Sequence, residues 1–219
     1  MTPATTGQAT HGTSAPLGDE HSWGAAAVVV AIAAIQLALP PSVTLGPKWL
    51  IPAVEVVGAV AIRLIWIRRP TQASSRTVVV GYLLMLVGAS TLNGLLLLRS
   101  LLDDIDESGK SLLLAGFAVL IINVLSFALV YWQLDGGGPG ARAAGTAHPD
   151  FQFPQQPDDR NWYPTLPDYL FTAYTNIIAF SPTDTMPLTH RVKLLFTIQS
   201  SISLLTVLVT LSRAITLIN

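Results

Sequence analysis

The sequence of 219 residues contains no cysteine and little charge, since Asp, Glu, Lys and Arg together make up only 11% of it. The missing cysteine excludes disulfides, thiol catalysis and cysteine metal sites. Soluble domains carry about 25% charged residues. With 51% hydrophobic residues and a mean hydropathy of +0.53, this chain is instead predicted to be a multi-pass protein of the cell membrane, with the lipid bilayer as its main partner.

Several kinds of chemistry lack their sequence signals. The net charge of −1 gives no reason to expect nucleic-acid binding. We find no P-loop, no dinucleotide fingerprint and no Ser/His/Asp arrangement with a placed nucleophile. The four histidines are not paired at metal-ligand spacing. We therefore predict neither an enzyme nor a cofactor or metal protein.

Apolar runs predict an all-α, polytopic fold of about five transmembrane helices plus one re-entrant helix of the pore type. The tail, 1–22, has no Lys or Arg and is predicted to be disordered. A three-helix membrane segment follows over 23–98, with runs at 23–39, 49–67 and 77–98. The first two runs are close to the minimum of about 17 residues for a crossing. The second unit, 111–219, begins with a span at 111–134.

The remainder of the second unit has the outline of a pore loop. Residues 135–167 begin with a glycine-rich run and contain many prolines, so we predict a flexible, exposed loop. A short apolar helix over 168–180 would be about 20 Å long, too short for a hydrocarbon core of about 30 Å. A polar turn and a long helix over 192–218 follow. A half-length helix, a polar turn and a full crossing are typical of a re-entrant segment.

The end of the chain resembles a known family. The run YLFTAYT from Tyr169, the spacing of Asp184 and Pro187, and the long final helix resemble the pore domain of bacterial tetrameric potassium channels. The resemblance implies an outer helix at 111–134, a pore helix at 168–180, an inner helix at 192–218 and a homotetramer. The layout also resembles uncharacterised bacterial membrane proteins that share the phrase FSPTDTMP.

The sequence departs from that family at the filter. Where the potassium filter has Gly-Tyr-Gly, this chain has Ser181, Pro182 and Thr183. Proline has a fixed φ, and Ser and Thr disfavour positive φ, so the carbonyl ladder of a potassium filter should not form. If monovalent cations pass, polar side chains must line the path. The candidates are Thr175, Asn176, Ser181, Pro182, Thr183 and Asp184, with Asp184 forming a ring of carboxylates in an oligomer.

The sequence leaves sidedness and function open. A potassium-channel orientation places more Lys and Arg outside than inside, against the positive-inside bias. The alternative to a channel-like protein is a non-conducting membrane scaffold or a small-molecule carrier of unknown substrate.

Four polar residues are predicted to lie within spans: Glu55, Asn93, Asn123 and Gln199. Ionisable groups inside membranes often mark pathways, so Glu55 is a candidate proton or cation site, and equally a neutral carboxyl between helices. Buried amides of this kind mostly form hydrogen bonds between helices, worth about 0.6 kcal/mol each. Gln199 belongs to a polar patch on the last helix that could line a cavity or pack against a neighbour.

Overall fold

A computed structural model of the chain describes residues 18–68, 73–102, 109–144, 148–157, 162–179 and 184–216. Within these ranges the fold is mostly helical, which confirms the predicted all-α class. The helices are α1 (Gly18–Ala38), α2 (Leu50–Arg68), α3 (Ala73–Leu102), α4 (Gly109–Leu134), α5 (Pro139–Ala143), α6 (Leu166–Ile178) and α7 (His190–Thr216). Two 3₁₀ turns, Pro41–Val43 and Asp135–Gly137, follow α1 and α4.

Two very short strands connect the long loop to the end of the polar turn. β1 (Phe151–Gln152) and β2 (Met186–Pro187) pair antiparallel, with Phe151 opposite Pro187. The pairing joins the segment before α6 to the segment after it. It therefore holds the chain after the polar turn against the long loop that precedes α6.

Three helical segments in the described ranges are long and apolar enough to cross a membrane. They are Thr77–Ser100, Lys110–Arg142 and His190–Ser212. The apolar parts of α1 and α2 are shorter, Trp23–Ala38 and Leu50–Ile62. The structure thus supports a membrane protein, and the full count of five spans stays a prediction.

The first described helix begins within the tail that the sequence predicts to be disordered. The predicted disordered tail, 1–22, lies outside the described residues up to position 17, but α1 begins at Gly18. The helix therefore starts ahead of the apolar run.

α4 is the central helix of the molecule. It packs against α1, α3, α6 and α7. Its second half is buried on all sides, from Ser126 to Trp132. A helix that is hydrophobic all round is buried all round. The core therefore surrounds α4, while α3 and α7 each present an apolar outer face.

Small residues set the closest helix crossings. A Cβ added to Gly116 of α4 would lie 2.1 Å from Oγ1 of Thr210 on α7, so only glycine fits there. On α3, Gly94 lies against Thr206 of α7. Small residues allow helices to approach closely in lipid, where apolar burial does not drive association. The crossings of α7 with α3 and α4 are therefore fixed by specific glycine and threonine positions.

The 135–167 segment is not simply an exposed loop. Phe151 and Phe153 are buried, and their rings contact aromatic residues of the bundle. The Phe151 ring centroid lies 5.4 Å from that of Tyr131 on α4 and 5.8 Å from that of Phe196 on α7. Burial of large aromatic side chains is strongly favourable. The loop thus closes one end of the bundle over α4, α6 and α7.

Candidate functional site

α6 lies between α4 and α7 and presents a polar face to them. Its first turn is fixed by the Asp168 carboxylate, which accepts hydrogen bonds from the backbone N and the Oγ1 of Thr165, both at 2.7 Å. Seven of its residues are buried: Leu166, Tyr169, Thr172, Ala173, Thr175, Asn176 and Ile177. The opposite face, with Phe171, Tyr174 and Ile178, is exposed and apolar.

The two predicted pore residues of α6 are turned toward their own chain. Asn176 is 2% exposed and donates to Gln199 Oε1 at 2.8 Å. Its Oδ1 accepts from Ser200 Oγ at 3.1 Å. Thr175 Oγ1 donates to the Phe171 carbonyl at 2.9 Å. These polar groups are therefore used in docking α6 and in its own last turns.

The turn after α6 is described only from Asp184 onward. Ser181, Pro182 and Thr183 lie outside the described residues. Asp184 is exposed. The next residue, Thr185, is buried with its Oγ1 3.2 Å from that of Thr172 on α6. The chain therefore returns to the bundle immediately after Asp184.

Gln199 is the centre of a buried hydrogen-bonded group. Its Oε1 also accepts from the Tyr131 hydroxyl of α4 at 2.7 Å. Its Nε2 donates to the Ala173 carbonyl of α6 at 3.1 Å. One side chain thus joins three helices through two hydrogen bonds to its amide oxygen and one from its amide nitrogen. Gln199 and Asn176 were predicted separately, and the structure brings them together.

A second buried group, which sequence reasoning missed, holds the loop on the bundle. We call it the loop cluster: Asp135, Arg142, Asp150, Tyr169, Thr189 and Arg191. Asp135 Oδ1 accepts from the backbone N of Asp150 at 2.6 Å, and its Oδ2 accepts from the Tyr169 hydroxyl. Asp150 Oδ1 accepts from Thr189 Oγ1 at 2.8 Å and from Arg191 Nε at 2.7 Å. The Asp150 carboxylate is therefore paired with a guanidinium group, whereas the Asp135 carboxylate is held by backbone N–H groups and the Tyr169 hydroxyl.

Electrostatics in the loop cluster favour the charged carboxylate at Asp150. Asp150 is 1% exposed, and burial alone would raise its pKa. Hydrogen bonds from Arg191 and Thr189, the charge of Arg191 and the Gly136 N–H outweigh burial and lower the pKa of Asp150 below its ordinary value of 3.8. Arg142 completes the cluster, since its Nη1 donates to the carbonyls of Trp132 and Asp135.

Two sequence features signal this cluster. Gly136, Gly137 and Gly138 all have positive φ, at 54°, 86° and 101°, which is conformational freedom that only glycine offers cheaply. They make a tight turn that carries the chain back over α4, not a flexible hinge. Phe151 and Phe153 alternate, a spacing that points both rings inward from an extended segment.

A third polar group lies between α1, α2 and α3. Glu55 of α2 is fully buried and its Oε1 accepts from Gln36 Nε2 of α1 at 2.8 Å. Tyr82 of α3 donates to the Glu55 backbone carbonyl at 2.7 Å. Asn93 of α3 is 1% exposed and lines a small cavity together with Gln36.

The remaining candidate, Asn123, makes an interhelical hydrogen bond. Its Oδ1 accepts from Ser203 Oγ of α7 at 3.3 Å. This is the bonding role expected for most amides within spans. Within the described ranges, no group of three or more His, Asp and Glu side chains could hold a metal ion.

The chain was compared with family models, curated proteins and solved structures. No family model, curated protein or solved structure matches it.

Proposed function

We propose that this chain is one subunit of a channel-like membrane protein that conducts monovalent cations through a homo-oligomeric pore, a tetramer by resemblance to the potassium-channel family. In this proposal α1, α2, α3, α4 and α7 cross the membrane, and α6 is the re-entrant helix. α4 is the outer helix, α7 is the inner helix and the residues after α6 form a non-standard filter.

The arrangement of α4, α6 and α7 is the observation that carries the proposal. α6 has 13 residues, which gives it a length of about 20 Å. That is too short to cross a bilayer, yet α6 lies against both α4 and α7, which are long enough. A short helix held between two crossing helices is the layout that a pore helix needs.

The exposed groups at the end of α6 support an assembly. The apolar face with Phe171, Tyr174 and Ile178 has no covering element among the described residues, so in a membrane it faces lipid or a neighbouring subunit. Asp184 lies at the end of the turn and is exposed. Repeated around an axis, it would supply a ring of carboxylates that attracts cations.

A second candidate is a non-conducting scaffold or small-molecule carrier, and one observation favours it. Thr175 and Asn176 hydrogen-bond within the chain and so are not free to line a path. Only the turn at 181–184 would then remain to select ions. This candidate keeps the same fold and the same membrane placement, and differs in having no continuous polar route.

Cation flux into liposomes tests the choice directly. We expect purified protein to dissipate a K⁺ or Na⁺ gradient and to migrate as an oligomer in mild detergent. Asp184→Asn should lower the flux several-fold, because the ring loses its charge, while the matched variant Asp184→Glu should keep most of it.

Both variants should unfold at the temperature of the wild-type chain, since Asp184 is exposed. A monomer without flux under either gradient would reject the channel and favour the scaffold. Equal flux through Asp184→Asn and Asp184→Glu would keep a pore but remove Asp184 from it.

A further inference from the structure

The buried polar group between α1, α2 and α3 has an excess of hydrogen-bond acceptors. Three oxygen atoms in it lack a protein donor within the described residues: Gln36 Oε1, Glu55 Oε2 and Asn93 Oδ1. All three side chains are at most 2% exposed. Buried acceptors without a donor are costly, by about 1–3 kcal/mol each, and most native groups avoid that cost. Three such acceptors in one group therefore indicate a bound partner that contacts their oxygen atoms.

Two of these side chains share one cavity. Gln36 and Asn93 line it together with Thr44, Leu45, Pro47, Lys48, Ile51 and Pro52. The cavity has a volume of about 10 Å³ and is partly open to the outside. On this measure, one water molecule needs about 10–15 Å³. The cavity is therefore of a size for a single small occupant, such as one ion without its water shell or one water molecule.

The carboxyl group of Glu55 lies next to the cavity wall, because it is hydrogen-bonded to Gln36, which lines the cavity. Its Oε1 is held by Gln36 Nε2, which leaves the Gln36 carbonyl oxygen as the free end of that amide. No cation of the described residues forms an ion pair with Glu55. A buried carboxyl group is either paired with a positive charge or takes up a proton, and a cation in the adjacent cavity would supply the positive charge. Carbonyl and carboxylate oxygens are the ligands that hard cations prefer.

The nearby charges favour a single positive charge. The group contains one carboxylate, whereas protein sites for Ca²⁺ and Mg²⁺ generally use several carboxylates or a phosphate. Lys48 at the mouth of the cavity adds a positive charge that further disfavours a divalent ion. One monovalent cation would neutralise Glu55.

We propose that Gln36 and Asn93 bind a small alkali-metal cation through their side-chain carbonyl oxygens, with Glu55 as its counter-charge. The ion reaches the site through the exposed Thr44–Lys48 segment that joins α1 to α2. This site involves helices other than α6 and stands whether or not the second half of the chain forms a pore. Binding pins the α1–α2 hairpin to α3, so the cation stabilises the three-helix part of the fold.

Thermal unfolding of the full chain in detergent measures the site without any transport assay. Na⁺, K⁺ and Li⁺ chlorides are each titrated against N-methylglucamine chloride at constant ionic strength. A ligand that binds only the folded state stabilises it in proportion to the logarithm of its concentration. We expect at least one of the three ions to raise the unfolding temperature by about 3–5 °C per tenfold increase above its dissociation constant.

The variants separate this site from general salt effects. Glu55→Gln keeps the shape and the hydrogen bond but removes the charge, and should abolish the ion dependence. Asn93→Leu should do the same by removing a ligand. The matched control Asn123→Leu, which changes another buried amide, should lower stability but keep the full ion dependence. An ion dependence that persists unchanged in Glu55→Gln would overturn the proposal.

Two other occupants give distinct results. If water alone fills the cavity, none of the three ions changes the unfolding temperature of the wild-type chain, and the proposal fails. If Lys48 itself neutralises Glu55, the wild-type chain shows no ion dependence and Lys48→Gln acquires one, which also overturns it. On our proposal Lys48→Gln instead tightens existing binding by about twofold to fivefold, because a repelling charge is removed.

Sodium NMR detects the bound ion directly, so its result does not depend on how stable each variant is. The ²³Na resonance of a sodium solution should broaden in the presence of the wild-type protein, and excess K⁺ or Li⁺ should reverse the broadening if they compete. Glu55→Gln protein that elutes as a single species by size exclusion should leave the line narrow. Equal broadening by both proteins would place sodium elsewhere.

Discussion

The loop cluster and the group around Glu55 both bury carboxyl groups, but they differ in how those groups are partnered. Both bury carboxylates inside an apolar bundle. In the loop cluster each acidic oxygen has a donor, and Arg191 forms an ion pair with Asp150. Around Glu55 the donors are fewer than the acceptors, and among the described residues no arginine or lysine forms an ion pair with it. The first arrangement is self-sufficient, while the second requires an additional partner.

This difference suggests different roles for the two buried polar groups. A fully paired network rigidifies the fold and fixes one arrangement of its parts. The loop cluster thus holds the 135–167 segment, α6 and the start of α7 in one place. An incompletely paired group keeps capacity for an occupant. The loop cluster therefore positions α6, whereas the group around Glu55 is the one for which we propose an occupant.

The largest expected effect is at Asp150. Asp150→Ala removes the acceptors for Thr189, Arg191 and the Gly136 N–H, leaving donors unpaired. Breaking a buried pair costs about 3–5 kcal/mol, and the 48% exposure of Arg191 places this case near the lower end, at about 3 kcal/mol. Denaturation by SDS in mixed micelles measures the loss of unfolding free energy.

A second carboxylate of the same region supplies the control. Asp168→Ala removes only the bonds to Thr165 at the start of α6, and should cost about 1 kcal/mol, as caps do. If the two variants lose equal stability, the loop cluster is not the anchor described here. A double variant with Arg191→Leu should then show no coupling to Asp150.

The next effect concerns the docking of α6. Gln199→Leu leaves the Tyr131 hydroxyl and the Asn176 amide without their shared acceptor. Hydrogen bonds within membranes average about 0.6 kcal/mol, with a maximum near 1.7, so we expect a loss of about 1.5 kcal/mol for this group. The exposed variant Ser201→Ala on the same helix should change the unfolding free energy by less than about 0.5 kcal/mol.

A loss at Gln199 no greater than at Ser201 would contradict the docking role of this group. Cysteine is absent from the chain, so a single labelled cysteine at Tyr174 reports on α6 without background. Its accessibility to a water-soluble reagent should rise in Gln199→Leu if α6 loosens. Unchanged accessibility together with lost stability would place the effect in α4 and α7 instead.

The positions of the long helices can be predicted from hydropathy alone. The contacts between distant residues that form the buried polar and aromatic groups cannot be predicted in this way. The apolar run at 192–218 and helix α7 agree within two residues at each end, because a long apolar stretch has few alternatives to a helix in a membrane. By contrast, Phe151 is buried because it meets Tyr131 and Phe196, which are distant in the chain. No local pattern contains that information.

The same limit explains what was missed near Glu55. Glu55 stood out because a carboxylate within an apolar run is rare. Gln36 did not stand out, because it lies near the end of α1. It becomes important only in the folded chain, where the α1–α2 hairpin brings its Nε2 to 2.8 Å from Glu55 Oε1. Glutamine near a helix end is ordinary, so a sequence signal could be found only by asking which residue of the preceding run faces Glu55.

The smallest expected effect is a pH dependence of stability that comes from Asp150 in the loop cluster. The pKa of Asp150 is lowered in the folded chain, chiefly because Arg191 and Thr189 offset its burial. A lowered pKa contributes stability that is complete above the unfolded pKa of about 3.9 and is lost as the pH falls through the folded value. The wild-type chain should therefore keep a constant contribution from Asp150 at neutral pH and lose it below about pH 4. Asp150→Asn should be less stable at pH 7, and the two unfolding temperatures should converge as the pH approaches 3.

Because Asp150 lies outside the spans, this titration depends on the loop cluster and not on the bilayer. A constant difference between the two proteins from pH 7 to pH 3 would mean that folding does not lower the pKa of Asp150, which would contradict the charged pairing of Asp150 in the loop cluster.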